Sequence, residues 1–199
     1  MDPRERIILA AERLIAERGV NASLRDMAAA AGQRNNSAVH YHFGSRDGLI
    51  QAVIERRMEP MERHRLALLA EHEVHGQADD VRALLEILVL PMFTGPYQDG
   101  ATHYARFLEQ VRSHPAIVGA RLSAEHWPAT QIVTARLHRA LAPLPPDTRR
   151  QRLSSMATVM FALLADHERS GVAPTRDDVI DMLAGLLTAH SHATRAVSR

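Results

Sequence analysis

Apolar residues recur along this chain at helical spacing almost throughout, and nowhere do they alternate for long enough to make a sheet. The pattern predicts a first helix over about residues 4–18, with Ile7, Ala11, Leu14 and Ile15 on one face and Gly19 as its stop. Ser23 opens a second helix, with Asp26 in a capping-box position and Leu24, Met27, Ala28 and Ala31 turned inward. Gly32 and the polar turn 33–36 lead to a short third segment, residues 37–43, closed by Gly44. Ser45 caps a long fourth helix carrying Leu49, Ile50, Val53, Ile54 and Met58, which Pro60 is expected to bend or step.

Longer helices follow. Residues 81–90 form one, interrupted at Pro91, and turn residues make 94–100 a loop. Helices are expected over 102–112 and 116–141, the second kinked at Pro128. After the proline-rich break at 143–146 come 148–169 and 176 to about 193, the last opened by a capping box of Thr175 and Asp178. The fold class is all-α, with about nine helices and no internal repeat.

The first three helices describe a helix-turn-helix. Ala28, Ala29, Ala30 and Ala31 supply small residues where two helices cross, and Val39 and Phe43 anchor the back of the third. Ser37, His40 and Tyr41 face forward, with Arg34, Asn35 and Asn36 at the leading end. Asparagine suits adenine edges and arginine guanine edges, while tyrosine and helix N-termini hold phosphates. Residues 18–46 hold four arginines against one aspartate, a mild basic patch in a chain of net charge +1. All 24 basic residues are arginine, a bias best explained by codon usage, with phosphate-gripping forks only at individual positions.

Composition narrows the rest. A chain of 199 residues accommodates a small domain on a larger core, and 46% apolar with 24% charged residues is ordinary for a soluble protein. The absence of cysteine excludes disulfides, thiol nucleophiles and cysteine-based zinc sites, and fits a cytoplasmic location. The N-terminus lacks a signal-peptide core, and no apolar run approaches the ~18 residues of a membrane span. Of the twelve histidines, the pairs His72 with His75 and His190 with His192 lack the third ligand of a metal site and read as surface residues. No motif sets a nucleophile beside a base, so neither an enzyme nor a cofactor is expected. A helical interaction protein that does not bind DNA is the remaining rival, and specific shift of a palindromic duplex would separate the two.

The run Leu24-Arg25-Asp26-Met27-Ala28-Ala29-Ala30-Ala31-Gly32, followed by Val39-His40-Tyr41-His42-Phe43-Gly44-Ser45-Arg46-Asp47-Gly48-Leu49, resembles the DNA-binding region of the TetR family of bacterial regulators. That region typically reads I-A-x-x-A-G and then L-Y-x-H-F-x-x-K-x-x-L, and the match covers residues 5–54. The turn before the His-Phe pair is one residue longer than the common spacing; His40 stands in place of tyrosine and Arg46 in place of lysine. The resemblance implies a DNA-binding domain over 1–46 and a ligand-binding and dimerisation domain over 47–199. Its expected DNA contacts are Arg34, Asn35, Asn36, Ser37, His40, Tyr41 and Arg46.

In this family the last two helices pack against their copies in a four-helix interface. The apolar stripes Met156, Val159, Met160, Leu163 and Val179, Met182, Leu183, Leu186 suit that use. An effector pocket is expected around Phe93, Tyr104, Phe107, Trp127, Met160 and Phe161, with His103, Arg106, Glu109 and His126 as polar anchors. The implied protein is a homodimeric repressor, released from a palindromic double-stranded operator by a small, largely apolar effector.

Overall fold

A computed structural model describes residues 1–33, 37–76, 79–94, 103–114, 127–170 and 175–190. Among these the chain forms nine helices and no strand. In order they are α1 (Pro3–Arg18), α2 (Leu24–Ala30), α3 (Ser37–Phe43), α4 (Arg46–Val74), α5 (Val81–Thr94), α6 (Tyr104–Val111), α7 (Pro128–Ala140), α8 (Pro146–Ser170) and α9 (Arg176–Thr188). None of them is long and apolar enough to cross a membrane.

The ends follow from local chemistry. The Ser23 hydroxyl accepts the Arg25 amide at 3.1 Å, but Asp26 turns to Arg18 instead of closing a capping box. The box at Thr175 and Asp178 has both halves. Two prolines, Pro91 and Pro128, depart from the sequence pattern. Pro60 and Pro91 lie inside continuous helices, α4 and α5, and interrupt neither. A proline inside a helix forfeits one backbone bond, yet Met61 and Leu69 beyond Pro60, and Met92 beyond Pro91, are buried and keep the helix packed past each proline. Pro128 starts α7 instead of kinking a longer helix: its fixed φ suits the first turn, and Trp127 before it is non-helical. The expected helix over 116–126, the loop at 95–100 and the chain beyond 190 lie outside the described residues.

One hydrophobic core runs from Ile7 and Ile15 in α1 through Leu84 and Leu85 in α5 to Ile180 and Leu183 in α9. Helix α6 packs on α1 and α8, α4 on α1, α5 and α7, and α9 on α5 and α8. His72, expected at the surface, is buried, with its Nε2 3.2 Å from Asp79.

Two charged clusters sit inside this core. Arg57 of α4 donates through Nε and Nη2 to the Glu12 carboxylate of α1, at 2.8 and 3.0 Å, and both residues are buried. The same carboxylate accepts the His103 amide, at the entry to α6, at 3.2 Å. In the second cluster Arg65 of α4 donates twice to the Leu88 carbonyl of α5, at 3.1 and 3.0 Å. Its neighbour Glu62 accepts the Thr130 amide and hydroxyl of α7, at 3.0 and 2.8 Å.

A buried ion pair contributes little against an apolar replacement, but losing one partner strands the other charge. Glu12→Ala should therefore cost ~3–5 kcal/mol. The double variant Glu12→Leu with Arg57→Met should recover most of that loss. Urea denaturation of both variants checks it; a single variant as stable as the parent would show the pair to be solvated.

Candidate DNA-reading face and core pocket

The N-terminal helices put a small exposed face over a tight apolar base. Met27, Ala28 and Ala31 of the α2 region and Val39 of α3 are buried, while Ala29 and Ala30 stay exposed. Opposite Val39, Ser37, His40 and Tyr41 project outward, and Tyr41 is 85% exposed, rare for so large an aromatic ring. The His40 Nδ1 lies 3.2 Å from the Gly44 carbonyl. His42 and Phe43 are half-buried, and the Arg4 guanidinium of α1 lies over the Phe43 ring at 5.3 Å. Arg34, Asn35 and Asn36 lie outside the described residues.

The junction after α3 is fixed by three residues. Gly44 has φ +69°, where a side chain is strained. Gly48 lies so close to the Phe43 carbonyl that a Cβ there would run into it. Arg46, expected at phosphate, is half-buried and donates through Nη1 to the Val20 and Ala22 carbonyls, at 2.9 and 2.7 Å. It thus ties the α1–α2 turn to the start of α4, and only its remaining N–H groups are left to reach outward.

Deeper in the molecule a cavity of about 380 Å³ opens between α4, α5, α6, α7 and α8. The size falls in the range of small-molecule sites. Tyr104, Trp127, Met160 and Phe161 line it as the sequence suggests; Phe93 and Phe107 do not. Phe107 is fully buried, stacked on Tyr104 at 6.2 Å, on the side of α6 turned into the core, and Phe93 packs half-buried at its edge.

The expected polar anchors are likewise used elsewhere. Glu109 is held by Arg169 at 2.9 Å, Arg106 faces Glu168 at 3.8 Å, and His103 faces Glu17 at 3.8 Å. His126 lies outside the described residues.

The pattern did not single out the α4 wall, Gln51, Ile54 and Met58, or the polar members Arg65, Arg112, Thr130, Thr134 and Ser154. The signal was present: 51, 54 and 58 share one helical face. Burial pushes the Arg65 guanidinium below its ordinary value against the opposing pull of Glu62, and pushes the Tyr104 phenol well up.

Helix α6 also leans on a carboxylate from α8. Glu168 accepts the Ala105 and Arg106 amides at 2.9 and 3.0 Å, capping a helix whose own N-cap side chain does not. Its burial raises the Glu168 carboxyl above the usual carboxylate value, against the pull of those two donors.

The stripes assigned to an interface divide in two. Met156, Met160, Val179 and Leu183 are buried within the protomer, because the wide apolar faces of α8 and α9 fill its own core first. Val159, Leu163 and Leu186 are half-buried, and Met182 is 45% exposed.

Residues 7–53 match the family model described as bacterial regulatory proteins, tetR family, and residues 86–189 match the tetracyclin repressor-like C-terminal domain. The chain belongs to the TetR family. It is accordingly a DNA-binding transcriptional regulator, with a helix-turn-helix followed by a helical C-terminal domain, and the family is regulatory in character. No curated protein matches the chain. Among solved structures, the crystal structure of the multidrug binding protein EbrR complexed with imidazole is similar at 20% identity, over 97% of this chain and 99% of that one, with a TM-score of 0.33.

In a TetR regulator the two exposed or half-exposed residues Tyr41 and Arg46 should separate by variant. Tyr41→Ala should change stability by less than ~0.5 kcal/mol while weakening binding to every duplex alike. Arg46→Ala should cost ~1–3 kcal/mol, because two carbonyls lose their donor. Urea titration and duplex-shift assays check this; unchanged DNA affinity of Tyr41→Ala would remove it from the interface.

Proposed function

We propose that this TetR regulator acts as a homodimeric repressor, released from a palindromic operator by a small, largely apolar effector. The observation that carries the reading is the position of the cavity. Its walls are shared by α4, which directly follows the third helix, and by α6, which packs on α1. An occupant that alters the spacing of those walls presses on both supports of the reading head.

The expected DNA contacts are Ser37, His40, Tyr41, the outer N–H groups of Arg46, and the turn residues Arg34, Asn35 and Asn36. Two such heads, about 34 Å apart, enter successive major grooves on one face of the duplex. A ligand that favours another separation draws the population off DNA by its differential affinity for the two states.

The half-exposed remainder of the α8 and α9 stripes, Val159, Leu163, Met182 and Leu186, is the proposed two-fold contact. Since Met182 is exposed in the protomer, Met182→Asp should leave the fold intact. It should give a monomer in light scattering and cut palindrome binding by ~10-fold or more, as loss of the second head requires. A stable Met182→Asp dimer would move the interface elsewhere. Sequencing DNA fragments retained by the purified protein tests the whole reading. The expected result is a palindrome with half-sites about one helical turn apart, and recovery of unenriched DNA would overturn it.

A further inference from the structure

We propose that the cavity takes an amphipathic organic anion, with its apolar body among Leu88, Met92, Tyr104, Trp127 and Met160 and its anionic head, such as a carboxylate, on Arg112 at the mouth. The inference deepens the reading of this cavity as the effector site and rests on it.

Charge on the wall carries the argument. Among the described residues two arginines line the cavity, and no aspartate or glutamate does. At the mouth an apolar cation would meet the Arg112 charge with no lining carboxylate to hold it, whereas an anionic head would find opposite charge there.

The two arginines differ in what they have left to give. Arg65 is buried and already committed: Nε and Nη2 bond the Leu88 carbonyl, Nη1 bonds the Thr130 hydroxyl at 3.3 Å, and Glu62 stands 3.6 Å away. It serves the wall, not the ligand.

Arg112 is exposed at the end of α6, a position where the helix dipole favours a cation. Among the described residues its hydrogen-bond partner is the Thr158 hydroxyl, 3.3 Å from Nη1. A guanidinium carries five donors in a planar fork, so a carboxylate can still be gripped by two parallel bonds. Ser154, exposed, and Gln51, half-exposed, line the same cavity and give the mouth its neutral polar groups. The nearby Glu55 carboxylate is occupied by the Gln51 amide at 3.0 Å. The deeper walls are buried, as a hydrocarbon or aryl body requires.

The chain supplies its own probe. Trp127 is the single tryptophan and lines the cavity, so its fluorescence reports occupancy directly. The full-length protein is titrated near neutral pH with decanoate, decan-1-ol and decyltrimethylammonium, which share a chain and differ in head group, below micelle formation. Decanoate should bind at least about tenfold more tightly than either of the others, the scale of one charge-assisted contact. Arg112→Gln should bring decanoate down to the level of decan-1-ol, leaving the alcohol's affinity and the thermal midpoint unchanged. Equal binding of the three, or tightest binding of the cation, overturns the anion assignment while the pocket stands. A decanoate preference that survives Arg112→Gln removes the anchor and overturns the proposal. If none of the three perturbs Trp127, the anion proposal and the effector reading of this cavity fall together.

Discussion

The Glu12 carboxylate is the point on which the rest of the structure hangs. It lies in the core, between α1, α4 and the entry to α6, and it satisfies the Arg57 guanidinium and the His103 amide at once. A carboxylate in such a place is tolerable only when its oxygens are fully engaged. The requirement runs both ways, since the buried Arg57 guanidinium would lose its carboxylate inside the core if Glu12 withdrew. The DNA-reading helices are thus joined to the larger helical part by directional bonds as well as by apolar contact, and the relative placement of α1, α4 and α6 is held closely.

Around that point α6 behaves as a short strut between two carboxylates. Glu12 holds the residue just before it, and Glu168 from α8 caps its first amides. An eight-residue helix has too few internal bonds to hold itself straight in isolation. Its position therefore depends on these external acceptors and on Tyr104 and Phe107, both fully buried. Since Tyr104 also lines the cavity, the strut that meets α1 is the wall that a ligand would touch.

Much of this architecture was legible in the residues. The helices were, because apolar spacing and capping chemistry are local and agree with each other at Ser45, Thr175 and Gly44. The TetR resemblance likewise rests on two short contiguous runs, Leu24 to Gly32 and Val39 to Leu49. The proline at 91 was misjudged because the local cost of a lost backbone bond was weighed without the burial that outweighs it. The interface stripes were drawn too wide, since periodicity cannot tell an apolar residue facing its own core, such as Leu183, from one left exposed on the protomer, such as Met182. Phe107 was placed in the pocket for the same reason: an aromatic at the right period still needs the right face. Glu12 itself left a trace, falling between Ile8 and Ile15 on the apolar side of α1. A charge in that stripe signals a buried partner, but which of 24 arginines it meets is a tertiary fact.

Helix α4 then connects the two clusters in a particular way. Its first half carries Arg57, pinned to α1, and its second half carries Glu62 and Arg65, pinned to α7 and α5. Pro60 stands between these anchor points. Because proline has no amide hydrogen, the Arg56 carbonyl lacks its usual helical donor at that step, and the helix resists bending least there. The cavity-lining residues of α4 straddle the same point, with Gln51, Ile54 and Met58 before it and Arg65 after. Under the proposed reading, an occupant of the cavity would load α4 across that step while buried ionic contacts hold both sides. The strain would then fall on the angle between the reading head and the remaining helices, the coordinate that, in the proposed dimer, sets how far apart two heads stand.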